Sequence, residues 1–235
     1  MKIIAHRGGA TAQRLENSLA SLMNSAQMGV DMVECDVTKL KDGAYVIFHD
    51  STLSRLTGNN VKTEELTLQE ISEMLINCGR SITTLQHVLS FYDSKIPILL
   101  HIKMKKIDDN LLTIFRNTSV PLIFGAISVD VVKSLHKYFP PERILAFMPK
   151  ETDYKEFILA GAGNIRLWEN WLGRIVPADI KKDYNVEVWI MANDENKSNR
   201  GSRATLDKCY ELGSDAVLMD DIELSSLWKL AYLNN

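Results

Sequence analysis

Met32-Val33-Glu34-Cys35-Asp36-Val37 is the stretch whose reading decides the architecture. Side chains of a strand alternate between faces, so Glu34 and Asp36 point one way while Val33, Cys35 and Val37 point the other. Two carboxylates held together repel unless a cation joins them or one takes up a proton. A hard divalent ion with oxygen ligands, Mg²⁺ or Ca²⁺, is the simpler solution. The bland alternative is a solvated acidic strand end.

Working outward, apolar runs recur along the chain and predict strands at 2–6, 32–37, 97–102, 121–126, 143–148, 164–168, 186–191 and 215–219, with 45–48 beside the second. Helical spacing fills the intervals, as in the stripes Leu19, Leu22, Met23, Ala26 and Leu206, Cys209, Tyr210, Leu212. Strict β/α alternation argues for a parallel sheet, and the count favours a closed barrel over an open sheet. The expectation is one α/β domain over residues 1–235, a (β/α)₈ TIM-type barrel with a short insertion after the second strand.

The remaining chemistry-bearing residues fall at other strand ends, where such a barrel keeps its active groups. His6-Arg7-Gly8-Gly9 follows Ile3-Ile4-Ala5, and His49-Asp50 follows Tyr45-Val46-Ile47-Phe48. Two imidazoles beside an acidic pair suit acid–base work on a phosphate ester held by a metal ion. Arg7 offers a planar fork of donors that fits a phosphate bidentately. Gly8 and Gly9 allow a sharp turn and a close approach to a ligand. Taken singly, each has a plain reading: a structural histidine, a surface salt bridge, a turn.

With 235 residues, 46% of them hydrophobic, the chain can bury a substantial core. Its net charge of −3 gives no reason to expect nucleic-acid binding or strong attraction to anionic membranes. Cys35, Cys78 and Cys209 are odd in number and scattered, which suits reduced thiols, with Cys35 a small core residue. No apolar run approaches the ~20 residues of a membrane span, and the first strand begins without a signal-peptide core. A cytoplasmic location without stable membrane insertion is expected; oligomeric state is not legible.

The blocks His6-Arg7-Gly8, Glu16-Asn17-Ser18, Gly29 to Val37, Lys41-Asp42-Gly43 and His49 to Thr57 resemble the glycerophosphodiester phosphodiesterase family. Leu85 to Leu89, Val188-Trp189 and Gly213 to Asp220 extend the likeness toward the C-terminus. The resemblance implies a barrel that hydrolyses glycerophosphodiesters to glycerol 3-phosphate and an alcohol. It implies catalytic roles for His6 and His49, metal ligation by Glu34 and Asp36, and substrate contacts from Arg7, Lys103 and Trp189.

One departure matters most. Where the family pattern reads Glu-Ile-Lys on its third strand, this chain reads His101-Ile102-Lys103. His101 takes the position of the third metal ligand, and the set then carries formal charge −2 instead of −3. Mg or Ca follows from the resemblance, whereas the imidazole opens the set to Mn or Zn. A metal-free site, with protonated His101 or Lys103 neutralising Glu34 and Asp36, is the competing reading. Leu15 and Ile190 also depart from the pattern, as do Met219 and Asp221.

Two segments are candidates for shaping specificity: the insertion at 50–83, and the polar run 193–203 as a lid. Trp168 and Trp171, after the sixth strand, are expected to pack against a neighbouring helix. Two other functions compete: a phospholipase D-like enzyme acting on lysophospholipids, and a catalytically weak barrel that binds a phosphorylated ligand.

Overall fold

A computed structural model describes residues 1–9, 15–192 and 201–233. The strands are β1 (Lys2–Ala5), β2 (Met32–Lys39), β3 (Tyr45–Ile47), β4 (Thr83–Thr84), β5 (Ile98–Ile102), β6 (Leu122–Ala126), β7 (Ile144–Ala146), β8 (Asn164–Trp168), β9 (Glu187–Met191) and β10 (Ala216–Met219). Eight of them, β1, β2 and β5 to β10, are parallel and close on themselves through β1–β2 and β1–β10. This is the expected (β/α)₈ barrel. β3 and β4 are antiparallel additions hanging from the C-terminal half of β2, where Val37 pairs with Ile47.

Strand alternation sorts the core into two layers. Outward residues such as Ile3, Val33, Cys35, Leu100, Phe124, Ile165 and Val217 pack against the surrounding helices. Inward residues such as Ile4, Met32, Leu99, Leu145, Phe147, Trp189 and Leu218 fill the barrel itself. Cys35 is buried in the outer layer, as its parity requires. The insertion after β2 carries its own small core of Leu40, Phe48, Leu53, Ile71 and Leu75. It is a folded shelf beside the barrel mouth, with helices at Ser54–Thr57 and Leu68–Ile76.

The helices follow ordinary start signals. Ser18 begins helix Leu19–Gln27 by accepting from the Ser21 N–H, and Asp108 begins Asp109–Asn117 by accepting from Leu111. Leu22 and Ala26 from the first predicted stripe, and Leu206 and Cys209 from the second, are buried. Tyr210 departs from the expectation: it is half exposed, and its ring meets those of Trp228 and Tyr232 on the outer side of the C-terminal helix Ile222–Leu233. Strand β7, expected at 143–148, begins at Ile144 because Pro141–Arg143 forms a 3₁₀ turn before it, and it ends at Ala146. Among the described residues, no helix is long and apolar enough to cross a membrane.

One inward position is set by space. Gly125 of β6 pairs in register with His101 of β5, and a Cβ built there would fall 2.5 Å from the Phe147 ring and 3.3 Å from the His101 Cα. Phe147 is itself buried and stacked on His101 at 4.0 Å between ring centroids. Gly125→Ala therefore overpacks the mouth and should cost ~1–3 kcal/mol. An unchanged denaturant midpoint with an unchanged slope would contradict this packing.

Candidate active site

The acidic pair sits where β2 reaches the C-terminal end of the barrel. Glu34 and Asp36 are both fully buried. Glu34 Oε2 accepts the backbone N–H of Arg7 at 2.7 Å. Asn17 clasps Asp36: its Nδ2 donates to Oδ2 at 3.0 Å and its Oδ1 accepts the Asp36 N–H at 2.9 Å. Arg7 and Asn17 are the non-glycine residues with left-handed backbone among those described, at φ 51° and 55°. That conformation is uncommon for such residues and concentrates at functional sites. The Asn17 N–H donates to the Arg7 carbonyl at 3.0 Å, so the two turns support one another. Gly8 follows at φ 77°, where a Cβ would meet the Ser21 hydroxyl at 2.4 Å.

Each sequence-predicted histidine has a carboxylate on its Nδ1. His6 lies 2.6 Å from Asp220 Oδ1, at the end of β10, and His49 lies 2.7 Å from Asp50 Oδ1. Such a partner fixes ring orientation and tautomer and leaves Nε2 for chemistry. Their protonation tendencies diverge. Burial opposes charge on His6, but Asp220 and then Glu34 outweigh it and raise its pKa. Burial prevails at His49 and lowers its pKa despite Asp50. Burial likewise acts against Asp50, but His49 and Arg55 hold it down at about 2. Arg55 donates to Asp50 at 2.6 Å and also binds Glu16, which accepts from Arg7 at 3.1 Å.

His101 and Lys103 project from the end of β5 toward the same pair, as their shared parity requires. His101 Nδ1 is 2.9 Å from Asp36 Oδ1 and 3.9 Å from Glu34 Oε1, and Lys103 Nζ is 3.8 Å from Asp36 Oδ1. Arg7 Nε lies 3.7 Å from the other Asp36 oxygen. Burial and the nearby Asp36 charge push Glu34 up to about 7. Burial also acts on Asp36, but His101, His49 and Lys103 hold it well below the usual carboxylate range. Burial pushes His101 down to about 4, against the pull of Asp36.

These residues fit a divalent cation. Glu34 Oε1 and Asp36 Oδ1 are buried and lack hydrogen-bond partners, so each presents an unused lone pair toward the space between them. The ligand atoms of Glu34, Asp36 and His101 lie within 4.8 Å of one another. Two carboxylates and a neutral imidazole make a mixed donor set for one ion.

Trp189 is not brought to this cluster. Its indole N–H donates to Glu187 Oε2 at 2.8 Å, and Lys2 binds the same carboxylate oxygen. Lys2 and Glu187 open their strands, so Trp189 fills the lower half of the barrel interior. Asp220, Asp50 and Asn17 were missed as working groups. All three stood inside quoted motifs, but nothing local to Asp220 links it to His6, 214 positions away. The expected lid at 193–203 lies, for residues 193–200, outside those described.

The contrast between the two imidazoles is directly measurable. In NMR titrations His6 should hold its proton to higher pH than a free histidine, and His49 should lose it at lower pH. Because a carboxylate favours the imidazolium, Asp220→Asn should lower the His6 pKa and leave His49 in place. Equal titration of the two rings would overturn the contrast in their surroundings, and an unmoved His6 in Asp220→Asn would remove Asp220 as its partner.

Comparison with known proteins agrees with the geometry. Residues 6–119 match the model of the glycerophosphoryl diester phosphodiesterase family. A putative glycerophosphodiester phosphodiesterase of Bacillus subtilis, YhdW, is 34% identical over 110 residues, 44% of this chain and 45% of that protein. Human lysophospholipase D GDPD1 is 36% identical over 100 residues, 42% of this chain and 31% of that protein. The chain thus aligns with less than half the length of either relative. A Thermotoga maritima glycerophosphodiester phosphodiesterase structure superposes with TM-score 0.75 at 24% identity, covering 98% of each chain. An Oleispira antarctica phosphodiesterase solved with the product sn-glycerol-3-phosphate gives TM-score 0.71 at 24% identity, covering 96% of each. The matched pattern spans just under half of the chain, and over that span the chain is similar to the glycerophosphoryl diester phosphodiesterase family, on a barrel that carries its histidines and acidic pair at the mouth.

Proposed function

We propose that this chain hydrolyses glycerophosphodiesters, releasing glycerol 3-phosphate and an alcohol. The observation that carries the reading is the pair of carboxylate-held histidines, His6 and His49, flanking a buried acidic pair and its two cationic neighbours. The Oleispira protein's product complex and the Bacillus protein's name support the same substrate class. The substrate is a small molecule; nothing in the charge balance or the mouth calls for nucleic acid.

Arg7 and Lys103 orient the phosphodiester and offset its charge, which grows on the equatorial oxygens as the bond to the leaving group breaks. Their own positions are set by Asp36 and Glu16, so both cations are in place before substrate arrives. His49, whose neutral form burial favours, accepts a proton from the attacking water as its oxygen bonds to phosphorus. His6, whose protonated form Asp220 favours, delivers a proton to the departing alkoxide. Pushing two similar groups apart in pKa divides the roles of acid and base between them. A divalent ion held by Glu34, Asp36 and His101 would supply Lewis-acid polarisation of a phosphoryl oxygen. The imidazole tilts that set from Mg²⁺ or Ca²⁺ toward Mn²⁺ or Zn²⁺.

The reaction should be followed by release of glycerol 3-phosphate, using chelated protein reloaded with each ion. His6→Ala and His49→Ala should each lower kcat by about 10²–10⁴ while the fold persists. Near wild-type turnover by either variant would overturn the mechanism. The base must be unprotonated and the acid protonated, and here the base has the lower pKa. The rate should therefore be flat around neutrality, falling on the acid side with His49 and on the alkaline side with His6.

Ion preference has a separate readout. Calorimetric titration should show tighter Mn²⁺ or Zn²⁺ than Mg²⁺ or Ca²⁺ binding to wild type. His101→Glu should narrow that gap by restoring a third carboxylate, and an unchanged ratio would remove His101 from the ligand set.

A further inference from the structure

The end of the barrel opposite the mouth holds its own concentration of positive charge. A cavity of about 600 Å³ opens where β5, β6 and β7 begin, between the last turn of helix Asp109–Asn117 and residues 138–143. Its volume is that of a small-molecule site. Leu122 in its wall and Gly125, the register partner of His101, are three residues apart on β6, roughly 10 Å. The cavity is therefore separate from the acidic pair.

Arg116 and Arg143 both line it. Two consecutive rings hold them. The Arg116 guanidinium carbon stands 5.0 Å from the Tyr138 centroid, and that of Arg143 stands 4.8 Å from Phe139 and 5.3 Å from Phe124. Arg143 Nε donates to the Leu122 carbonyl at 2.9 Å, which fixes the plane of its fork. Among the described residues, its terminal nitrogens have no hydrogen-bond partner, and neither arginine is paired with a carboxylate. Burial lowers the Arg143 pKa with no acidic group offsetting it, yet a guanidinium keeps its charge. No Asp or Glu lines the cavity; Glu142, beside Arg143 in sequence, is exposed and outside the lining.

The turn after the helix adds hydroxyls. Thr118 Oγ1 accepts the Val120 N–H at 3.2 Å and keeps its own proton to donate, and Ser119 lines the wall beside it. Arg116 lies in the last turn of its helix, where a cation also offsets the terminal carbonyls. That task does not extend to Arg143, which belongs to another element.

We propose that this cavity is a binding site for a small phosphate monoester, its phosphate held by Arg143 and Arg116 and its organic part against Phe115, Val120 and Ile123. Two guanidiniums without a carboxylate match a dianion in charge, and each presents paired donors to its oxygens. A carboxylate ligand brings half that charge, and an alcohol brings none.

Phosphate compounds also suit the mouth, so the test must locate the ligand. NMR titration does so, through the Ser119 amide and the Arg143 Nε–H, with phenyl phosphate, inorganic phosphate, benzoate and benzyl alcohol as probes. In wild type, phenyl phosphate should give saturable shifts at both groups, at lower concentration than inorganic phosphate or benzoate. Benzyl alcohol should leave both in place. Arg143→Gln and Arg116→Gln should each weaken phenyl phosphate binding by about tenfold or more, with turnover at the mouth unchanged. Should Arg143→Gln not fold, Arg116→Gln still decides, because Arg116 is exposed and its loss opens no core. Shifts confined to His6 and Arg7 would overturn the proposal, as would unchanged affinity in a folded Arg116→Gln protein. Benzoate binding as tight as phenyl phosphate would overturn the phosphate monoester as the ligand class.

Discussion

Two carboxylates on one face of one strand, both removed from water, are the constraint from which the rest of the mouth follows. Glu34 and Asp36 face the same way because strand parity allows nothing else, and burial strips them of the solvent that would moderate their repulsion. The surrounding groups answer that strain oxygen by oxygen. Arg7 takes one Glu34 oxygen through its backbone, and Asn17 takes one Asp36 oxygen through its amide. Lys103 and the Arg7 side chain stand by as charges. What remains is one oxygen on each carboxylate, both turned toward His101 and both without a hydrogen bond. The backbone cost of two left-handed turns at Arg7 and Asn17 is offset by this arrangement and has no other visible purpose.

Much of this was legible from residue order alone, for identifiable reasons. Parity brought Glu34 to Asp36 and His101 to Lys103, and apolar runs located all eight barrel strands to within a few residues. Parity says nothing about height along the barrel axis. Trp189 therefore shares the inward face of its strand while its indole N–H points to Glu187 at the far end. Helical spacing has a similar blind spot: it put Tyr210 on the buried stripe, but the C-terminal helix offered that ring a lateral partner instead.

The replacement of a carboxylate by His101 is accommodated by more than one position. A flat ring needs width at the barrel wall, and Gly125 on the adjoining strand supplies it by leaving Phe147 room to lie against the imidazole. Phe147 in turn lies 5.1 Å from the guanidinium carbon of Arg166, whose charge also stands 4.2 Å from the Trp168 ring. The donor set, the glycine and the stacked series form one structural unit.

The contact between His6 and Asp220 spans 214 positions of the chain and joins the first barrel strand to the last. A ring of strands has no edge only once its two ends have met. The orienting partner of His6 thus arrives with the final strand, and a chain still open between β10 and β1 holds an imidazole without a fixed tautomer. Closure of the barrel and completion of the reactive group are one event, so competence for chemistry serves as a register of whether the ring is shut.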